Sequence, residues 1–191
     1  MEERYYHTSE SVKEYIKAAE GFNGQHLISQ LNKVIPAKSK VLELGSGPGT
    51  DYELLAKTHQ VVGSDYSEEF QKHLNSHFPD GEFLHLNAAT LDTSEKFDAI
   101  YSNKVLQHLT QEELVESVKL QAKTLNSNGV ICHSFWYGKG SEEFKGMHVN
   151  YQNTESVKSL FSSVFNILTL SKYKEFEKED SIVLIAKKKD F

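Results

Sequence analysis

A chain of 191 residues, 38% apolar and 25% charged, has the length and composition of one soluble domain with a sizeable core, which excludes a largely disordered protein. The net charge of -6 argues against a dominant nucleic-acid surface, so no nucleic-acid partner is expected. Apolar runs such as Ile182–Ala186 are too short to cross a bilayer, the start Met-Glu-Glu-Arg lacks a secretion signal, and the single Cys132 excludes an internal disulfide; no membrane association and a cytoplasmic setting are expected.

Residues 1–39 read as an amphipathic helical extension, with 40–191 as the main unit of a single domain. Tyr5, Tyr6 and His7 precede the capping candidates Ser9 and Ser11 of a helix through about Ala19. Leu27, Ile28, Leu31, Val34 and Ile35 then recur at helical spacing until Pro36. The extension is either scaffold or a lid whose two tyrosines close over a site.

From residue 40 short apolar strands alternate with helices. Strands are expected at 40–44, 60–64, 82–86, 97–101, 129–135, 167–173 and 181–187, and helices at 51–58, 68–77, 111–125 and 155–165. Thr110 and Glu113 have capping-box spacing, and Asn128-Gly129 reads as the stop of that helix. The pattern predicts an α/β Rossmann-like sandwich: a seven-stranded, mostly parallel sheet with helices on both faces. The last two strands, joined by the charged run 174–180 without a helix, should form a hairpin that makes the last strand antiparallel.

In such a sheet ligands bind beyond the carboxyl ends of the strands. The first strand runs into Glu43-Leu44-Gly45-Ser46-Gly47-Pro48-Gly49, a turn whose glycines let backbone lie against a ligand. Asp65 lies 20 residues after Gly45, the spacing at which an acidic side chain meets a ribose diol. A dinucleotide turn needs a glycine at the sixth position, where this chain has Thr50, and no Gly-Lys-Ser/Thr follows. Asp51 and Glu53 suit the helix dipole but not a pyrophosphate. These residues point to a ligand with a ribose and no phosphate.

Residues 41–51, 61–67 and 97–109 together resemble the class I S-adenosylmethionine-dependent methyltransferases. The acidic residue and Gly-x-Gly-x-Gly of that family's first motif are matched by Glu43, Gly45, Gly47 and Gly49; its second-strand acid is matched by Asp65, and its fourth-strand segment by Phe97–Asn103 with Val105–Leu109. The resemblance implies S-adenosyl-L-methionine as cofactor and S-adenosyl-L-homocysteine as product. It implies that Gly45, Ser46, Gly47 and Gly49 cradle the methionine part, that Glu43 faces its ammonium group, and that Asp65 accepts from the ribose hydroxyls. Tyr66 would cover the adenine and Asn87 or Ala88 would meet its edge, Asn87 standing where the family often has aspartate. Asn103 and Leu106 would flank the methionine chain.

A methyl transfer with a neutral leaving group can run on positioning alone. Where a base is needed, His108 is the candidate, ahead of His148 and of His133, whose strand position suits a buried structural role. Tyr5, Tyr6, Trp136, Tyr137 and His148 are candidates for the acceptor pocket. The acceptor expected is a small molecule with an O, N or S nucleophile, because the Asn/Asp-Pro-Pro-aromatic signature of adenine and glutamine methyltransferases is absent at 102–105. No metal is expected: His73 and His77 lack the intervening Glu of a zinc-protease helix. The rival readings are a non-catalytic module binding the same nucleoside and, against the evidence of Thr50, an NAD-dependent oxidoreductase.

Overall fold

The computed structural model describes residue 6 and residues 8–190. A seven-stranded sheet runs through it in the order β3-β2-β1-β4-β5-β9-β8. The strands are β1 (Lys40–Leu44), β2 (Gln60–Asp65), β3 (Glu82–His85), β4 (Phe97–Asn103), β5 (Leu125–Trp136), β8 (Phe165–Tyr173) and β9 (Ser181–Lys188). Strands β1 to β5 pair in parallel, and β9 is antiparallel to both β5 and β8. The last strand is therefore the one that runs against the rest, as the hairpin reading requires.

Period-two alternation along the central strands divides the core into two faces. Val41, Ala99, Tyr101, Val130, Cys132, Val183 and Ile185 pack on Leu27, Ile28 and Leu31 of α2 (Gln25–Leu31) and Leu55 of α3 (Thr50–Ala56). Leu42, Leu44, Ile100, Ile131, Phe135 and Leu184 pack on Leu114 and Val118 of α5 (Gln111–Thr124) and Val157 and Phe161 of α6 (Thr154–Phe161). Full burial of a side chain such as Leu27 or Phe161 is worth about 1.5–3 kcal/mol, so α2 is core material. The other N-terminal helix, α1 (Ser9–Ala18), instead approaches α4 (Glu68–His77) at the carboxyl edge of the sheet. Thr8 caps α1 by accepting from Ser11 N–H, and Thr110 with Glu113 forms the expected capping box of α5.

Two local readings are corrected. Helix α5 stops at Thr124 rather than at Asn128-Gly129, because Leu125 already pairs with Phe97 and begins β5. Asn128 then takes a left-handed conformation (φ 64°) inside the strand's irregular start. The long stretch after Trp136, to which the sequence pattern assigns no element, contains a second small sheet: β6 (Ser141–Phe144) and β7 (Met147–Asn150) pair as an antiparallel hairpin. Its strands are four residues long, and β6 is exposed throughout.

Candidate active site

The carboxyl ends of β1, β2 and β4 converge on the glycine turn. Gly45, Gly47 and Gly49 all have positive φ, a conformation in which other residues are strained. Their surroundings differ. A Cβ at Gly45 would stand 2.6 Å from the Val105 side chain, whereas one at Gly47 would meet nothing nearer than Tyr15 Cε1 at 4.0 Å. Gly47 is therefore the turn residue that faces open space, beneath Tyr15 of α1. Ser46 serves the scaffold: its hydroxyl accepts from Ser64 N–H at 3.0 Å.

Glu43 is buried at the end of β1, and its Oε2 has no hydrogen-bond partner among the described residues. Burial, reinforced by Asp51 and Asp65, pushes its pKa up to about 8 against the relief of a hydrogen bond with Ser46. A buried carboxyl with an unsatisfied oxygen is a costly feature that a cation or donor group would relieve. Asp65, at the end of β2, accepts from Gly47 N–H at 3.0 Å and Ser67 N–H at 2.9 Å. Burial pushes its pKa up while these amide bonds pull it down. Two backbone donors fix the carboxylate and leave lone pairs for a diol.

Tyr66 is half exposed, and its ring lies parallel to that of His85 with centroids 5.5 Å apart. His85 Nε2 is held by the Tyr66 carbonyl at 2.9 Å. Together with Glu68 and Glu69 the two rings line a cavity of about 150 Å³. Asn87 Oδ1 accepts from Ala89 N–H at 2.8 Å, so one acceptor position of that amide is already engaged in its own turn. The Ala88 carbonyl is held by Ser117 Oγ at 2.6 Å.

At the end of β4, Asn103 is committed on both sides: Nδ2 donates to Asp51 Oδ2 at 3.1 Å, and Oδ1 accepts from Ser134 Oγ at 2.6 Å. Its side chain belongs to the scaffold, and its backbone is what it can offer a ligand. Asp51 had read as a helix-dipole residue. It also accepts from Tyr101 Oη at 2.7 Å and Gly24 N–H at 2.6 Å, tying α2 and α3 to β4. Leu106 is fully buried in the 3-10 turn Leu106–His108 that follows β4.

His108 ends that turn. Its Nδ1 lies 2.8 Å from the carbonyl oxygen of His148 on β7, and its ring is 6.3 Å from that of Tyr6. Burial depresses its pKa. Tyr6 also packs on Tyr15 and Phe70, at 5.2 and 5.7 Å, and its carbonyl accepts from Ser67 Oγ. Segments from α1, α4 and the β6–β7 hairpin thus meet around His108, and Lys145 of the hairpin pairs with Glu14 of α1 at 2.9 Å. Tyr5 lies outside the described residues. The His148 side chain points to Glu143 at 2.9 Å, so it is the backbone of His148 that reaches the site. His133 is structural: Ser102 Oγ and Gln121 Oε1 occupy its two nitrogens, and burial takes its pKa down to about 3.

Trp136 and Tyr137 stand farther along the edge, each beneath a lysine. Lys104 Nζ is 3.7 Å from the Trp136 ring centroid and Lys172 Nζ is 4.5 Å from that of Tyr137. Lys104 went unnoticed in the sequence, where it is one charge after a strand. Its backbone is left-handed (φ 60°), and Nζ donates to Phe135 O at 3.0 Å and Ser181 Oγ at 2.6 Å, pinning β4 to β5 and β9. Burial lowers its pKa to about 7. Among the described residues no group of His, Cys, Asp and Glu could hold a metal ion, and no helix is long and apolar enough to cross a membrane.

Residues 41–129 match the family model described as a Methyltransferase domain. Over 83 residues the chain is 35% identical to trans-aconitate 2-methyltransferase of Variovorax paradoxus, a match covering 41% of this chain and 32% of that protein. It is 34% identical over 101 residues to an uncharacterized methyltransferase of Bacillus pumilus, covering 50% of this chain and 46% of that one. The chain thus spans less than half the length of these curated relatives. In fold it is similar to a 1,6-didemethyltoxoflavin-N1-methyltransferase of Burkholderia thailandensis whose crystal structure holds its substrate and S-adenosylhomocysteine. That likeness has a TM-score of 0.77 at 16% identity, over 95% of this chain and 87% of the other.

Proposed function

We propose that this chain is a class I S-adenosylmethionine-dependent methyltransferase that moves a methyl group to an O, N or S atom of a small-molecule acceptor, a reading supported by its fold and by the match of residues 41–129 to a Methyltransferase domain. The observation that carries the reading is Glu43: a buried carboxyl with an unpartnered oxygen beside a glycine turn that has one open face. An ammonium group satisfies that oxygen, and S-adenosyl-L-methionine carries one. The residues present fit this cofactor. Glu43 would pair with the ammonium, and the turn 45–49, with Gly47 innermost, would lie along the methionine chain beside Leu106 and the backbone of Asn103. Asp65 would accept from the ribose hydroxyls, Tyr66 would cover the adenine, and Asn87 and Ala88 would border its edge.

The bound cofactor supplies an electrophilic methyl group. The chain supplies orientation, which can be worth roughly 7–11 kcal/mol, and exclusion of water by Tyr6, Tyr15 and the β6–β7 hairpin. His108 would stand at the acceptor side as the catalytic residue, with Tyr6 and the hairpin around His148 shaping the acceptor pocket and Trp136 and Tyr137 closing its far side. A cytoplasmic setting and a small-molecule partner belong to the same proposal. The test is production of S-adenosylhomocysteine when the protein is given S-adenosylmethionine and a panel of phenols, amines, thiols and carboxylates. Turnover of at least one class supports the reading; tight cofactor binding with no turnover across the panel would favour a non-catalytic binding module.

A further inference from the structure

We propose that the acceptor's attacking atom carries a proton, that His108 Nε2 removes it, and that the backbone carbonyl of His148 makes His108 a base. The inference rests on the methyltransferase reading and narrows its acceptor. A carbonyl oxygen can only accept, so the 2.8 Å contact places the proton on His108 Nδ1 and the lone pair of the neutral ring on Nε2. Among the described residues no hydrogen bond to Nε2 accompanies it. His133, by contrast, has both nitrogens committed within the core.

The surroundings keep the ring neutral. The groups that face it are the Tyr6 ring, the His148 backbone and the His148 imidazole, whose coulombic influence also disfavours an imidazolium at His108. Burial outweighs the carbonyl bond, so the base form predominates at neutral pH. An O–H, S–H or N–H acceptor is accelerated by such a group; a carboxylate, already ionised at that pH, gains nothing from it. In the transfer the acceptor's electron pair forms the new bond to the methyl carbon, and the pair of the sulfur–methyl bond stays on sulfur. The acceptor proton goes to Nε2 and from there to solvent.

The hairpin is then a positioning element, and its removal is feasible. Tyr151 N–H donates to Gly140 O at 3.0 Å, so the ends of the segment 141–150 are already adjacent and Gly-Gly can replace it. Nitrogen-15 NMR of the histidine rings reads the tautomer without any ligand. We expect His108, assigned by the signal missing in His108→Gln, to be protonated at Nδ1 with bare Nε2. Excision of 141–150 should turn that signal into a mixture of tautomers. His108→Gln should keep S-adenosylhomocysteine binding while losing about 10²–10⁴ in kcat on hydroxyl, thiol or N–H acceptors, the loss shrinking as pH rises. A proton on Nε2 in the intact protein, a signal unmoved by excision, or turnover confined to carboxylates and indifferent to His108→Gln would overturn the proposal. Failure of the intact protein to bind S-adenosylhomocysteine would instead sink the methyltransferase reading.

Discussion

The hydroxyl of Tyr101, buried in the centre of the sheet, donates to Asp51 Oδ2 at 2.7 Å. The same carboxylate accepts from Asn103 Nδ2 and Gly24 N–H, so one acid on α3 sets the end of β4 and the start of α2. Burial and the nearby Asp51 charge hold the Tyr101 phenol well above its usual pKa, which keeps it a donor. Asp51→Ala leaves Tyr101 and Gly24 as unsatisfied donors, a loss of about 3 kcal/mol, or roughly 6–12 °C in Tm for a domain of this size. Calorimetry checks this; a fall under 2 °C would mean that Asp51 does not hold these elements together.

Glu43 couples function to a stability cost. Its folded pKa of about 8 lies above the ordinary 4.5 of a glutamate, so between those values the native state holds a proton that the unfolded chain has released. Stability from this group is complete below the unfolded value and is lost as pH rises toward the folded one. Glu43→Gln removes that loss. The variant's Tm in the absence of ligand should exceed the parent's by an amount that grows from pH 5 to pH 8.5, while its affinity for S-adenosylhomocysteine falls at least tenfold. A Tm difference independent of pH would show that the carboxyl is not held protonated.

Two of the turn glycines, Gly45 and Gly47, should separate by role. At Gly45 both the positive φ and the 2.6 Å approach to Val105 oppose a methyl group, so Gly45→Ala should cost about 2–4 kcal/mol of stability. At Gly47 only the backbone opposes it, at about 1–2 kcal/mol, because the space above is open to the Tyr15 ring. Gly47→Ala should therefore fold well and bind S-adenosylhomocysteine poorly. Urea titration and a binding isotherm on both variants decide the matter; equal stability losses would contradict the assignment.

Lys104 makes a prediction of opposite sign to Glu43. Its amine is held near pH 7 by burial, below its ordinary 10.5, so the native state binds fewer protons than the unfolded chain between those values and stability from this group rises with pH across that window. Relative to Lys104→Met, the parent protein should gain stability between pH 7 and pH 10. A parent-minus-variant difference that stays level would place the ammonium in a wetter environment than the contacts with Phe135, Ser181 and Trp136 describe.

What could be read from sequence was what is local. The glycine turn, the acid 20 residues on and the alternation of strands follow from short-range patterns, and the reversal of β9 follows from the helix-free 174–180 connection. The hairpin at 141–150 gave no such signal. Its strands are too short for a period, β6 faces solvent, and its exposed Phe144 and two glutamates resemble any polar loop. Asp51 and Lys104 were illegible for another reason: each is a charged residue at an element end, where solvent is the default, and only the fold brings Tyr101, Gly24, Ser181 and Trp136 to them. Asn103 is expected from sequence to flank the methionine chain, but its amide is spent on Asp51 and Ser134, which no spacing reveals.

The central claim, that the carboxyl edge of β1 and β2 is built for an S-adenosyl nucleoside, is tested most directly by titration calorimetry with S-adenosylhomocysteine and with NAD on the intact chain and on Asp65→Ala. Asp65 is anchored by Gly47 N–H and Ser67 N–H, which leaves its carboxylate lone pairs for the proposed ribose hydroxyls. Loss of its paired hydrogen bonds should weaken binding by about 2–3 kcal/mol, a factor of roughly 30–150. The account predicts saturable binding of S-adenosylhomocysteine at one site per chain, no binding of NAD, and that loss in Asp65→Ala. Binding of NAD alone, or S-adenosylhomocysteine affinity unchanged by Asp65→Ala, would contradict it.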